Sequence, residues 1–321
     1  MMIMCNRYLP APLPHEHLIS VLARWFDYKG SRDFLNTTRN LSDNVTTLSP
    51  ATVWRPVYWD LSQQFIDTLG WKKIIREHTL APYYSPFLKP QYKSMLLSGG
   101  EPLSQTRIQP VQQNLIRLAK PWRWCSCCAS EDYELFGTTY WHSFHQLPSV
   151  LTCYKHNTVL RSHCPYCLFE YQHLRRHWLP PIDGHCRECG EQEEVVSGDF
   201  PQLFQWLEST SFELLRRGLE ISNESLIGAM RQKLGPEELP NRLFGSQRKE
   251  VAQWQCEFEE WLPDSVIETF YTKGREGLFN NIGQVLRLSS IIYRDRMAPP
   301  LSVLLMLKYL GLDSLVTDSL D

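Results

Sequence analysis

Eight residues of the 321-residue chain stand at spacings suited to metal ligation. Cys125 and Cys128 form a first dyad; Cys153 and His156 follow after 24 intervening residues, Cys164 and Cys167 after seven more, and Cys186 and Cys189 after a further 18. Thiolate and imidazole are the ligands that Zn2+ prefers. A short dyad brings two donors to one ion, each sulfur about 2.3 Å away, and a second dyad closes the tetrahedron. Paired in order, the dyads give one quartet of three cysteines with a histidine and one quartet of four cysteines; the same residues also permit a cross-braced arrangement, first dyad with third and second with fourth. With every coordination position held by protein, two structural Zn2+ ions are expected to stabilise the fold, leaving no open position for water. Burial as small hydrophobes accounts poorly for four dyads, whereas Cys5 and Cys256, isolated from them, read as plain thiols. Cys127 adjoins a ligand, but the Cys125–Cys128 pair keeps the usual spacing. His163, His173, His177 and His185 flank a set that four cysteines already complete.

Catalytic signatures do not accompany these ligands. The chain has no His-Glu-x-x-His, no deaminase His-x-Glu with Pro-Cys-x-x-Cys, no phosphate-binding Gly-x-x-x-x-Gly-Lys-Ser/Thr and no Gly-x-Ser-x-Gly elbow. The expectation is a protein that is not an enzyme.

The elements that must position the ligands read as mainly α. Leu18, Leu22, Trp25 and Phe26 recur at helical spacing after Pro14, a first-turn residue, and before Gly30, a C-terminal cap, which predicts an amphipathic helix over about 14–29. Phe65, Ile66 and Leu69 precede Gly70, and Trp71 to Arg76 resume an apolar and basic pattern: helix, glycine turn, helix, in the manner of a helix-turn-helix. From 201 onward Leu203, Phe204, Leu207, Phe212, Leu214, Leu215 and Leu219 mark helical faces, punctuated by Pro201, Gly235-Pro236, Pro263 and Pro299-Pro300. Trp254, Phe258, Trp261 and Leu262, with Val303, Leu304, Met306, Leu307 and Leu310, are the expected core of that region. The expected organisation is an N-terminal helical, helix-turn-helix-like domain (1–120), a central tandem zinc-ribbon-like module (121–200) and a helical C-terminal domain (201–321).

Formal net charge is −2, but its distribution is uneven: residues 1–100 carry +4, 101–187 carry +3 and 188–321 carry −9. A basic front suits phosphate contact, whereas an acidic rear repels it unless its cations gather on one face. The basic candidates for nucleic-acid contact are Lys72, Lys73 and Arg76 on the second helix of the N-terminal unit, and Arg117, Lys120, Arg123, Arg161, Arg175 and Arg176 around the zinc module. No run of 18 apolar residues occurs and the first residues lack a continuous apolar core, so the expectation is a cytoplasmic protein with no membrane partner.

Three strings then acquire a joint meaning: Pro12-Leu-Pro-His-Glu-His-Leu-Ile-Ser-Val-Leu-Ala-Arg24, His78-Thr-Leu-Ala-Pro-Tyr-Tyr-Ser-Pro-Phe87 and Tyr140-Trp-His-Ser-Phe-His-Gln-Leu-Pro-Ser-Val-Leu-Thr-Cys-Tyr-Lys-His156. In this order, with the cysteine dyads and the proline-led apolar run Pro299–Gly311, the chain resembles the TniQ/TnsD family of bacterial transposon target-selection proteins. The resemblance implies a non-enzymatic adaptor that engages a target-recognising entity and recruits an AAA+ ATPase regulator of the TnsC type, which licenses the transposase. It also implies a homodimer. Longer TnsD-type members read a fixed attachment site through an additional C-terminal DNA-binding region; shorter TniQ-type members of CRISPR-associated transposons bind a guide-RNA effector, Cascade, and leave sequence reading to base pairing. The length of the chain and its acidic rear favour the shorter branch, although the strings at 12–24 and 78–87 look closer to TnsD-type members. The expected function is therefore to link Cascade at the target to the ATPase, the alternative being sequence-specific DNA binding with recruitment of the same ATPase.

Overall fold

A computed structural model of the protein describes residues 8–39, 41–42, 49–171, 178–192, 194–240, 242–279, 284–294 and 296–317. In chain order its helices are α1 (Leu18–Lys29), α2 (Phe34–Arg39), α3 (Pro56–Ser62), α4 (Ile66–Leu69), α5 (Trp71–His78), α6 (Ala81–Tyr84), α7 (Pro90–Ser98), α8 (Ser126–Phe136), α9 (Gln202–Arg217), α10 (Asn223–Leu234), α11 (Gly245–Trp261), α12 (Asp264–Phe270), α13 (Arg275–Phe279), α14 (Leu288–Tyr293), α15 (Pro300–Tyr309) and α16 (Ser314–Thr317). The fold is thus mainly α. Among the described residues no strand forms, and extended segments meet only in isolated antiparallel bridges.

The first helix starts later than Pro14 suggests. His15 adopts a left-handed backbone with φ 55°, and the Glu16 N–H closes a turn onto the Leu13 carbonyl, so helical geometry is interrupted before Leu18. His17 is the N-cap instead: its Nδ1 accepts the Ile19 N–H at 3.2 Å, the work usually done by Ser, Asp or Asn. At the other end Gly30 takes φ 59° and returns its N–H to the Asp27 carbonyl, as expected of a glycine cap. Every residue from Leu18 to Phe26 is buried, so the apolar stripe is only part of a helix enclosed on all sides. Between α4 and α5, Gly70 sits at φ 75°, ψ 148°, a conformation that only glycine adopts without strain.

Two compact units form. The first takes residues 1–81, 94–108 and 119–200; the second takes 82–93, 109–118 and 201–321. In the first, rings that are buried except for the half-buried Trp71 make edge and tilted contacts in a continuous series: Trp71 to Trp54 (5.5 Å between centroids), Trp54 to Tyr58 (5.7 Å), Tyr58 to His17 (5.8 Å), His17 to Trp122 (5.2 Å), Trp122 to Trp141 (5.4 Å), Trp141 to Trp124 (6.2 Å) and Trp124 to Tyr171 (4.5 Å). The N-terminal helices and the cysteine-bearing segment therefore share one core. Beside it lies a buried ion pair: Arg24 donates Nε to Glu16 Oε1 and Nη2 to Oε2, both at 2.7 Å, with a further bond from Nη2 to the Ala11 carbonyl. The same Glu16 presents its carbonyl to His78 Nδ1 at 2.8 Å, while the His17 N–H reaches the Trp141 carbonyl and the Trp141 N–H reaches Ser20 Oγ. Residues far apart in sequence, Glu16 to Ser20, His78 and Trp141, are stitched together here.

In the second unit, Pro201, Pro263 and Pro299 are N-caps of α9, α12 and α15, and Gly235 ends α10. Pro300 to Leu307 are all buried, as are Phe204, Leu207, Leu214, Leu215, Phe258 and Leu262; Trp254 and Trp261 are half-buried. Returning segments close this core. Gly218 approaches the Pro82 carbonyl so tightly that a Cβ would lie 2.2 Å from the oxygen, and Arg117 Nη2 donates to the Tyr271 carbonyl at 2.8 Å.

Candidate metal centres and basic surfaces

The dyads come together in chain order. The ligand atoms of Cys125, Cys128, Cys153 and His156 lie within 4.8 Å of one another, and so do those of Cys164, Cys167, Cys186 and Cys189. Cross-bracing does not occur.

Three of the four dyads sit on the same backbone knuckle. In each, the first cysteine N–H bonds the carbonyl five residues on (Cys153 to Thr158, Cys164 to Phe169, Cys186 to Glu191), and the residue four places on returns its N–H to the cysteine carbonyl. That residue is left-handed each time: Asn157 at φ 51°, Leu168 at φ 59°, Gly190 at φ 78°. Bridges Thr152–Val159, His163–Glu170 and His185–Gln192 flank the three turns in identical register. The remaining dyad belongs to a helix start, with Cys125 as N-cap of α8 accepting the Cys128 N–H and Cys128 in the first turn. N–H groups of Lys155 and Glu188 point at Cys153 Sγ and Cys186 Sγ, each at 3.4 Å, an arrangement that favours sulfur carrying negative charge.

The donor set fits a tetrahedral ion. Sulfur ligands about 2.3 Å and nitrogen about 2.0 Å from a centre stand roughly 3.8 Å (sulfur to sulfur) and 3.5 Å (sulfur to nitrogen) from each other. In the first group Cys128 Sγ to Cys153 Sγ is 3.5 Å, and His156 Nδ1 lies 3.4, 3.3 and 3.6 Å from the sulfurs of Cys125, Cys128 and Cys153. In the second, Cys164 to Cys189 and Cys167 to Cys186 are both 3.7 Å. Crowded thiols share protons: hydrogen bonds from Cys128 and Cys153 hold the Cys125 thiol far below its ordinary range, and the bond to Cys125 pushes Cys128 up. Zinc suits both a set of three sulfurs with one nitrogen and a set of four sulfurs, and a closed set of four donors supplies cross-linking, not a reactive water.

The two groups differ in shelter. In the first, the three cysteines are buried and His156 is half-buried; in the second, Cys167 and Cys189 are exposed. Two neighbours of the first group carry no sequence signal. Glu131, on α8, meets His156 Nε2 at 3.1 Å and is itself paired with Lys155, whose contact holds its carboxyl below the usual range. His145 is fully buried, which keeps it neutral, and its Nε2 lies 3.9 Å from Cys128 Sγ. Only the fold reveals either contact, because Glu131 is 25 residues from His156. The described cysteines are all free thiols; Cys127 is half-buried, and Cys256 is exposed. His163 and His185 take no place in the four-cysteine group, while Cys5, His173 and His177 lie outside the described residues.

Of the basic candidates, Lys72, Lys73 and Arg76 share one shallow concavity of about 420 Å³ with Gly70, Trp71 and Glu77. Trp71 anchors this surface through Nε1 to the Leu96 carbonyl at 2.6 Å. Arg123 must be withdrawn as a nucleic-acid contact. It is 1% exposed, and its guanidinium donates to the Leu147 and Val150 carbonyls, which holds the cation inside the core and away from any phosphate. Arg161 is half-buried and donates to the Glu194 carbonyl, Lys120 is exposed in the first unit, and Arg117 is exposed in the second; Arg175 and Arg176 lie outside the described residues. Among the described residues, no helix is long and apolar enough to cross a membrane.

Comparison with known proteins gives two matches. The TniQ family model matches residues 7–160, just under half of the chain and including the whole of the Cys125, Cys128, Cys153 and His156 group but not the four-cysteine group. Transposon Tn7 transposition protein TnsD of Escherichia coli is 24% identical over 162 residues, which cover 48% of this chain and 31% of TnsD. This chain thus matches about a third of its relative's length. Residues 7–160, which contain the buried Glu16–Arg24 pair, His78, Trp141 and the first metal group, are thus the part of the chain that is similar to the TniQ family.

Proposed function

We propose that this chain is a non-enzymatic component of target-site selection in DNA transposition, holding a chosen target on one side and an AAA+ regulator of the transposase, TnsC-like, on the other. The observation that carries this reading is the TniQ match over residues 7–160, supported by the similarity to TnsD. The two cysteine groups hold structural Zn2+ as a zinc-ribbon-like module, with Cys125, Cys128, Cys153 and His156 on one ion and Cys164, Cys167, Cys186 and Cys189 on the other. In this reading α4, Gly70 and α5 act as a helix-turn-helix-like unit, and the protein works in the cytoplasm as a homodimer.

The target reaches the adaptor through a guide-RNA effector of the Cascade type. A second reading, in which the chain engages a fixed DNA site directly, is favoured by the similarity to TnsD and by the grouped Lys72, Lys73 and Arg76. Co-purification of the tagged chain with the effector, with the ATPase and with target duplex, each separately, tests both. Co-elution with ATPase and effector, with no duplex retention that is specific to one site, supports the first; site-specific duplex retention without effector moves the function to the second. Failure to retain the ATPase in any combination refutes the adaptor role itself.

A further inference from the structure

The rear of the chain is its acidic part, with 13 basic and 22 acidic side chains over residues 188–321. Its second unit nevertheless gathers cations at one place. A groove of about 880 Å³, walled by α11, the turn before it and both ends of α14, is lined by Arg242, Arg248, Arg287, Arg294 and Arg296, and among the described residues by one carboxylate, Glu259. Surface charges arranged for ion pairing intersperse both signs; here five guanidinium groups face one acid, whose Oε1 already accepts from Gln255 at 3.1 Å.

The five arginines divide by what they touch. Arg294 builds the wall, donating to the Leu239 and Pro240 carbonyls at 3.3 and 3.1 Å, and Arg296 donates to the Gln284 side chain. Arg242 lies over the ring of Phe244, 4.9 Å from its centroid, and that ring is 61% exposed. Arg248 and Arg287 are exposed and have no acidic partner among the described residues. Unpaired cations held together repel one another, and an anion relieves that repulsion. A guanidinium fork matches phosphate geometry, and a groove of about 880 Å³ exceeds what one small anion fills.

We propose that this groove is a second nucleic-acid contact, a binding site for the phosphate backbone of duplex DNA, formed by Arg248 and Arg287 as direct contacts and Arg242, Arg294 and Arg296 as supports. The choice of DNA among polyphosphates rests on the target-selection reading; the anion-binding character rests on the groove alone. Phosphate contacts of this kind position a protein on a duplex without reading its sequence.

The test is binding of the full chain to a mixed-sequence duplex, followed by anisotropy between about 50 and 200 mM salt. Arg248→Glu with Arg287→Glu is expected to weaken binding by about tenfold or more and to lower the slope of log affinity against log salt by about two. Arg248→Gln with Arg287→Gln shifts both in the same direction by less, and neither pair moves the melting temperature, because both side chains are exposed. Lys72→Glu with Lys73→Glu provides a variant in the other unit with the groove intact. Wild-type affinity and slope in the groove variants overturn the proposal. So does competition by inorganic phosphate or ATP as effective, per phosphate, as unlabelled duplex, which would make the groove a small-anion site. A wild-type chain that binds no duplex overturns it too, while retention of the ATPase by the wild-type chain judges the target-selection reading separately.

Discussion

His156 faces three sulfurs with Nδ1 and one carboxylate with Nε2, and that division of labour fixes its tautomer. Glu131 accepts a hydrogen bond from the Nε2–H, leaving Nδ1 as the lone-pair donor; Lys155 in turn holds Glu131. Removing such an outer partner commonly costs about 10- to 100-fold in metal affinity. Glu131→Ala is therefore expected to weaken the first zinc site by that factor and leave the second unchanged, whereas Glu131→Gln, which keeps an acceptor, loses less; chelator competition resolving two sites checks it. A different histidine sets an acid limit. Burial lowers His17 to about 3, and its Nδ1 must stay unprotonated to cap α1. The unfolded chain binds a proton near pH 6.5 while the folded chain does not, so stability is intact above 6.5 and falls by about 1.4 kcal/mol per pH unit as the pH drops toward 3. His78, lowered mainly by burial, adds to the upper part of that fall. In His17→Asn, which caps without titrating, the fall between pH 6 and 4 becomes shallower by about 1.4 kcal/mol per unit, measured by denaturant unfolding at each pH.

At the scale of elements, the spacing of the dyads made their ligands legible, since Cys-x-x-Cys is a local geometry. Which dyad meets which was not local: it follows from the paths of the chain between Cys128 and Cys153 and between Cys167 and Cys186, and the structure chooses sequential pairing. The late start of α1 was hidden for a similar reason. Proline at a first turn is a common signal, but the left-handed His15 and the capping imidazole of His17 override it, and neither has a strong sequence mark. The knuckle repeat yields two predictions. Leu168 holds the position that Gly190 holds in its sister turn, at φ 59° against 78°. A left-handed non-glycine residue is strained by about 1–2 kcal/mol, partly offset by glycine's greater unfolded freedom. Leu168→Gly should thus stabilise the turn at Cys164 by about 0.5–1 kcal/mol, and Gly190→Ala should destabilise the turn at Cys186 by about 1 kcal/mol, as read from the rate of zinc release. Exposure of Cys167 and Cys189 against burial of Cys125, Cys128 and Cys153 also orders metal loss: a chelator should remove one equivalent quickly from the four-cysteine group and the second slowly. A single phase releasing both ions together contradicts this.

Across the whole molecule, many of the residues in the strings that carry the family likeness are internal. Glu16, His17, Arg24, His78, Trp141 and His145 are all buried, and they hold one another through the Glu16–Arg24 pair, the Glu16 carbonyl to His78 and the Trp141 backbone. The likeness was readable because much of it lies in the core, whereas surface groupings are assembled by folding: five arginines from separate places in an acidic sequence become one groove only in the second unit. The shared core makes the last prediction. A cysteine module with its own hydrophobic interior would melt alone when its metal is lost. Here Trp122, Trp124 and Trp141 carry the module's packing to His17, Tyr58 and Trp54, so loss of the first ion removes binding free energy from the entire first unit. Cys128→Ser should therefore raise hydrogen exchange not only around residues 124–160 but also in α1, α3 and α5, while peptides from α9, α12 and α15, which belong to the second unit, keep their protection. Exchange confined to residues 121–200 would show instead that the zinc module is an independent folding unit, and that the aromatic series is contact without cooperativity.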